Sequence, residues 1–167
     1  MFQPKRKLTN FDIKIKIQGH RIFPSNAVKY LGVLIDNNLS WNHHINHICS
    51  KLQRANGALG KLRHFVPRTV LLSLCYALFQ SHMSYCCQVW GQHKKTSTSR
   101  VPTLQKTALI IITFSDFRSP SSPIFLSLKV LSLFDYVKLL NVILVHQIKN
   151  ESLPIPVMKT FDLVTCF

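Results

Sequence analysis

The chain has 167 residues, 47% of them hydrophobic, enough for one compact domain or one domain with a small appendage. Its 21 Lys and Arg stand against 6 Asp and Glu, a formal charge of +15, yet charged residues make up only 16% of the chain, below the usual share of about 25%. The excess therefore comes from missing acids, which argues against a disordered basic tail and for a folded cationic surface, one that meets polyanions or merely stays solvated.

The five cysteines (Cys49, Cys75, Cys86, Cys87, Cys166) are odd in number and show no C-x-x-C spacing, so neither a disulfide framework nor a zinc ribbon is written here. An intracellular, reduced chain, nuclear or cytoplasmic, is expected. The opening MFQPKRKLTNF has no apolar signal region, so secretion is not expected. The most apolar stretch, Leu126 to Val145, is broken by Lys129, Asp135 and Lys138, and no membrane span is predicted.

In chain order, a basic cluster at Lys5-Arg6-Lys7 reads as a turn, or as a nuclear-import signal with Pro4, before the alternating strand Phe11 to Ile17. Gly19-His20 to Ser25-Asn26 reads as a connection, and Val28 to Ile35 as a second strand ending at Asp36-Asn37-Asn38. Ser40 is the predicted cap of a helix with Trp41, Ile45, Ile48, Leu52, Ala55, Leu59 and Leu62 on one stripe. Core packing suits that stripe better than a coiled-coil partner, since it spans only about three heptads. Arg54 and Lys61 share a face off the stripe, with Lys51 and Arg63 beside them.

Pro67 opens a second predicted helix through Leu71, Leu74, Cys75, Leu78 and Phe79, fading between Tyr85 and Gly91. His93 to Pro102 reads as a loop. Leu104 to Thr113 suits helix or buried strand, with helix preferred, because the Ile110 to Ile112 run fits both. Ser122 and Pro123 signal a start, and short helices are predicted at Ile124 to Leu128 and Leu133 to Ile148 before Pro154 and Pro156. The expected segments are thus a β-hairpin at 1–38, a helical hairpin at 39–92, a linker at 93–103, a helical part at 104–153 and a frayed tail at 154–167. The predicted fold is mainly α with a small N-terminal β-hairpin, of the α+β class.

Three pieces of sequence carry a family resemblance. Lys29-Tyr30-Leu31-Gly32-Val33, then Leu39, Trp41 and His44-Ile45, then Tyr85 with Val89-Trp90-Gly91, together resemble the region just after the active site of non-LTR retrotransposon reverse transcriptases. Leu104-Gln105-Lys106, Ser119 to Pro123 and Leu131-Ser132-Leu133 resemble its continuation. The resemblance implies that Tyr30, Leu31 and Gly32 lie on the palm hairpin that grips a primer end and that the following helices form a thumb-like bundle over an RNA or DNA template-primer duplex. On that reading Lys29, Lys51, Arg54, Lys61 and Arg63 meet phosphates. The alternative is that Gly32 marks a bulge and Tyr30 belongs to the core. Relatives often carry further bases around Gln105-Lys106, where this chain has Thr107, Leu109 and Ile110, which argues against nucleic-acid contact there.

Nucleotide addition needs two metals about 4 Å apart on clustered carboxylates. No two acids are adjacent here, and the closest pair, Glu151 and Asp162, is 11 positions apart. The resemblance places the catalytic hairpin before Met1, with the fingers likewise outside the chain. An isolated chain without polymerase activity is therefore expected, with no catalytic residue and no cofactor of its own. Mg²⁺ would belong to an intact polymerase, and the missing upstream portion would be a partner. His43, His44 and His47 with Cys49 have spacings that can hold zinc, but no carboxylate supports them and no metal site is expected. A non-catalytic nucleic-acid-binding protein and a helical protein-interaction module are the rival functions.

Overall fold

Two short antiparallel hairpins precede the helices. Strand β1 (Ile15–Ile17) pairs with β2 (His20–Ile22) around Gln18 and Gly19, both at positive φ. The computed structural model describes residues 15–23, 25–92 and 98–150. The Pro4 to Lys7 cluster, residues 11–14 of the predicted first strand and the predicted tail lie outside them. The expected connection after Gly19 proves to contain strand β2, because the tight turn at Gln18 and Gly19 sends the chain straight back.

The predicted continuous strand over Val28 to Ile35 is corrected in the same way. It folds back on itself as β3 (Ala27–Tyr30) and β4 (Val33–Asp36), with Tyr30 opposite Val33 and Ala27 opposite Asp36. Leu31 and Gly32 occupy the turn at φ 45° and 82°, the consecutive left-handed pair that matches the twist of a two-residue hairpin. Gly32 takes that conformation freely. Leu31 carries a cost of about 1 to 2 kcal/mol there, and its side chain gives no turn signal.

Asp36 organises the passage into the first helix. Its carboxylate accepts from the Asn38 N–H at 3.1 Å, the Ser40 N–H at 2.7 Å and the Ser40 hydroxyl at 2.5 Å. Ser40 is thereby committed to Asp36 and is not the expected cap; Trp41, at φ 56°, holds the N-cap position of α1 (Asn42–Leu62). The predicted stripe is the buried one: Ile45, Ile48, Leu52, Ala55 and Leu59 are buried, with Trp41 and Leu62 packed at its ends. It faces the rest of the protein, packing on β4, on the second helix with its continuation, and on the helix beginning at Arg100.

The second helix starts at Arg68, one residue after Pro67. It runs as α2 (Arg68–Cys75), a π turn (Tyr76–Gln80) and α3 (Ser81–Ser84) without a break between them. Its buried residues are Leu71, Cys75, Phe79 and Met83, while Leu78, expected inside, is exposed. A spacing of four at every step would drift about 120° off one face over this span in an ideal α-helix. The extra residue of a π turn removes one step of about 100° and leaves the stripe within about 20° of line. Tyr85 then turns extended and Cys86 left-handed, after which α4 (Cys87–Trp90) delivers Trp90 to the core.

Helix α5 (Arg100–Thr113) settles the open choice at 104–113 as helix. It begins inside the stretch predicted as loop, since Pro102 sits in its first turn, where a missing N–H costs nothing; residues 93–97 lie outside the described ones. Helix α6 (Ser121–Ser127) starts one residue before Ser122, with Pro120 at the cap and Pro123 in the first turn. Helix α7 (Leu133–Lys149) is capped by Ser132, whose hydroxyl accepts from the Asp135 N–H. Gln105, buried on α5, donates to the Leu131 carbonyl at 2.8 Å and accepts from the Leu133 N–H at 3.1 Å. Both ends of its amide are thus spent on fastening the α6 to α7 connection. The fold is mainly helical with small antiparallel sheets, as the sequence predicts.

Candidate nucleic-acid interface

Three sequence motifs, far apart along the chain, meet at the β3–β4 hairpin. The Tyr85 hydroxyl donates to the Leu31 carbonyl at 2.6 Å, and a Cβ on Gly32 would lie 3.5 Å from the Tyr85 ring. Trp90 is fully buried and its indole N–H donates to the Tyr85 carbonyl at 3.1 Å. His44 lies edge-to-face with Trp90, centroids 5.8 Å apart, and its Nδ1 accepts from the Leu34 N–H of β4 at 3.3 Å. Gly91 closes the group, since a Cβ there would stand 2.5 Å from the Cys87 carbonyl oxygen and 3.0 Å from Val137 of α7. These contacts fix the hairpin's turn against the helices.

The hairpin presents its outer strand to solvent. Tyr30 is 64% exposed and Leu31 73%, so Tyr30 is not a core residue and Gly32 marks a turn and not a bulge. Lys29 is exposed beside them on β3. Removing the Tyr85 hydroxyl as Tyr85→Phe is expected to lower stability by about 1 kcal/mol. Gly32→Ala should cost at least as much through its φ. Urea midpoints of the two variants and their combination would check this; a double variant no worse than either single one would show that the two residues hold the same turn.

On α1 the basic residues form a second line. His47, Lys51, Arg54, Ala58 and Lys61 each precede one of the stripe residues Ile48, Leu52, Ala55, Leu59 and Leu62, the last only partly buried, so the row runs parallel to the core stripe for about 21 Å. Lys51 is half-buried, Arg54 and Lys61 are exposed, and the Arg54 Nε–H donates to the Ser50 carbonyl at 3.3 Å. Arg63 stands apart from its predicted companions: its guanidinium lies 4.3 Å from the Phe114 ring centroid and its Nε is buried without a hydrogen-bond partner among the described residues. The structure therefore brings Lys51, Arg54 and Lys61 into one row and turns Arg63 toward α5's end.

His47 and His82, which sequence patterning does not mark as polyanion contacts, lie near the cationic row on α1. Burial, then the charges of Lys51, Lys29, Arg54 and His82, hold the His47 pKa below its ordinary value. The signal for His47 was available in the offset of the row by one residue from the stripe; His82 needed the π turn. The zinc-like spacing of His43, His44 and His47 does not make a cluster, since His44 is buried on β4 and Cys49 in the core. Among the described residues no group of three or more His, Cys, Asp or Glu could hold a metal ion. Nor, among them, is any helix long and apolar enough to cross a membrane. Burial raises the thiols of Cys49, Cys75 and Cys87, Cys75 to about 11, which keeps them protonated and inert.

No family model and no solved structure matches the chain. One comparison does carry weight. Over 116 residues, 67% of its length, the chain is 28% identical to a probable RNA-directed DNA polymerase from transposon X-element of Drosophila melanogaster. The matched region spans 13% of that protein. A relationship to reverse transcriptases is therefore supported by sequence similarity as well as by the motifs.

Proposed function

We propose that the chain is the primer-gripping end of a palm and the helical thumb of a non-LTR reverse transcriptase, touching the backbone of a template-primer duplex and contributing no catalytic carboxylate. The observation that carries the reading is the convergence of three family-like motifs on one exposed hairpin, beside a cationic row on α1. Tyr30 and Leu31 offer an aromatic and an apolar surface to a sugar or base at the turn, and Gly32 permits the left-handed turn that presents them. Lys29, Lys51, Arg54 and Lys61 supply phosphate contacts that are indifferent to sequence. Mg²⁺ enters this reading only through the rest of a polymerase, which is also the partner proposed for the exposed apolar side chains Leu139, Val142 and Ile143 of α7.

Salt dependence tests it. Log affinity for a primed duplex should fall linearly with log salt, by about 0.9 for each phosphate contact. Arg54→Glu with Lys61→Glu should weaken binding roughly tenfold or more at low salt and make the slope shallower by about 2. Negligible affinity at every salt concentration would favour a protein-interaction module instead, and unchanged binding by the double variant would remove α1 from the interface.

A further inference from the structure

Beyond the exposed row lies a groove that the motifs do not explain. It has a volume of about 400 Å³ and is lined by Lys51, Arg54, Ala55 and Ala58 of α1, Leu78 of the π turn and His82 of α3. Both walls obey one rule. Leu78 and His82 each precede a buried residue, Phe79 and Met83, just as Lys51, Arg54 and Ala58 precede theirs. The extra residue of the π turn rotates everything after it by about 100°, and that rotation carries His82 onto the groove side. Small side chains at Ala55 and Ala58 keep the floor open.

The charge in and around this groove has one sign. The charged groups acting on His47, which lies one turn before Lys51 on α1 and outside the groove's lining, come from three elements: Lys29 of β3, Lys51 and Arg54 of α1, and His82 of α3. None of the described acids Asp36, Asp116 and Asp135 is among them. Half-buried Lys51 and exposed Lys29 and Arg54, with no acid among the groups acting there, repel one another, and an anion placed among them would relieve that repulsion.

We propose that the groove between α1 and the π turn is a binding site for a phosphodiester group of a polynucleotide strand, with Lys51 and Arg54 as its fixed charges, His82 in its lining, and His47, one helical turn before Lys51, as the neighbour that takes up a proton when the phosphate binds. The inference rests on the nucleic-acid reading above and sharpens it to one site. Burial and the surrounding cations hold the His47 pKa below its ordinary value in the free protein, which favours the neutral imidazole. A phosphate oxygen in the groove lowers the local positive potential and so favours imidazolium. By linkage, a proton taken up on binding makes affinity rise as pH falls, by at most about tenfold per pH unit for one proton.

The test is fluorescence anisotropy of the 167-residue chain with a labelled oligonucleotide, single-stranded and duplex, at fixed ionic strength from about pH 8 to about pH 5.5. The chain has 8 histidines, so the deciding quantity is the difference between wild type and His47→Gln. Wild-type affinity is expected to rise several-fold towards acid, and His47→Gln to flatten that rise while keeping the salt slope. Ala58→Leu fills the groove without altering any charge and should lose both affinity and pH dependence. Circular dichroism confirms the fold of each variant; should His47→Gln not fold, His82→Gln and Ala58→Leu carry the comparison. If His47→Gln and Ala58→Leu both retain the wild-type pH slope and the salt slope persists, the groove is not the site and the broader nucleic-acid reading stands. If no salt-dependent binding is seen at all, both fall.

Discussion

Trp90→Ala is expected to cost about 3 to 5 kcal/mol, a large fraction of the roughly 5 to 15 kcal/mol that holds a domain of this size folded. Three losses combine. Trp90 is 0% exposed and lies among the largest buried side chains, so its removal leaves a cavity between α1, α4 and α7 that the neighbours fill only in part. Its indole N–H leaves the Tyr85 carbonyl without its donor, and His44 loses its aromatic partner. Since Tyr85 and His44 both hydrogen-bond the β3–β4 hairpin, the hairpin should loosen before the helices separate. Urea denaturation measures the first effect, and hydrogen exchange at the Leu34 N–H measures the second. Trp90→Phe, which keeps most of the bulk and loses the donor, should cost substantially less. A Trp90→Ala variant within 1 kcal/mol of wild type, on the order of a single hydrogen bond, would mean that the motif is not what fastens the turn.

The legibility of this chain follows from which signals are periodic. Helix α1 was readable because its apolar residues repeat at helical spacing and its bases sit one step away. The fold class followed from that helix, the later helices and the β-branched N-terminal run. The hairpin turn was hidden because Leu31, a non-glycine at positive φ, looks like any strand residue in K-Y-L-G-V. Ser40, the expected cap of α1, has a better use, closing on the Asp36 carboxylate. The burial of Met83 and the exposure of Leu78 escape the sequence for a single reason: a spacing of four repeated three times departs from helical periodicity until a π turn absorbs the excess. Of the site, Lys51, Arg54 and Lys61 form the predicted row because helix geometry alone places them. Arg63, the C-cap of α1, still follows the helical period, and that period sets it about 160° around the helix from Lys61, where it turns to Phe114. The roles of Tyr85 and His82 depend on long-range packing that no local pattern contains.

Acid should remove stability in two separate windows, with His44 responsible for the first. Burial, then the charges of His47 and Lys51, lowers its pKa from 6.5 to about 4. The folded protein therefore keeps the imidazole neutral while the unfolded chain takes up a proton, and between those values the unfolded state binds more protons. Stability falls as pH drops through 6.5, and the loss is complete near 4. At about 1.36 kcal/mol per pH unit the loss amounts to roughly 3 kcal/mol, and His47, lowered for the same kinds of reason, adds to it with the same sign. Asp36 acts in the second window. Burial tends to raise its pKa, but the Ser40 and Asn38 hydrogen bonds and the charge of His43 together hold it below 3.8. Its contribution is present above 3.8 and disappears as pH falls through the lower folded value. His44→Asn offers an acceptor to the Leu34 N–H without titrating, so it should be less stable than wild type near neutrality and should lose markedly less between about pH 6.5 and 4. Urea midpoints across that range decide the matter. Equal losses in wild type and His44→Asn would mean that His44 is not the group being protonated, and that the contact between α1 and β4 is not what acid breaks first.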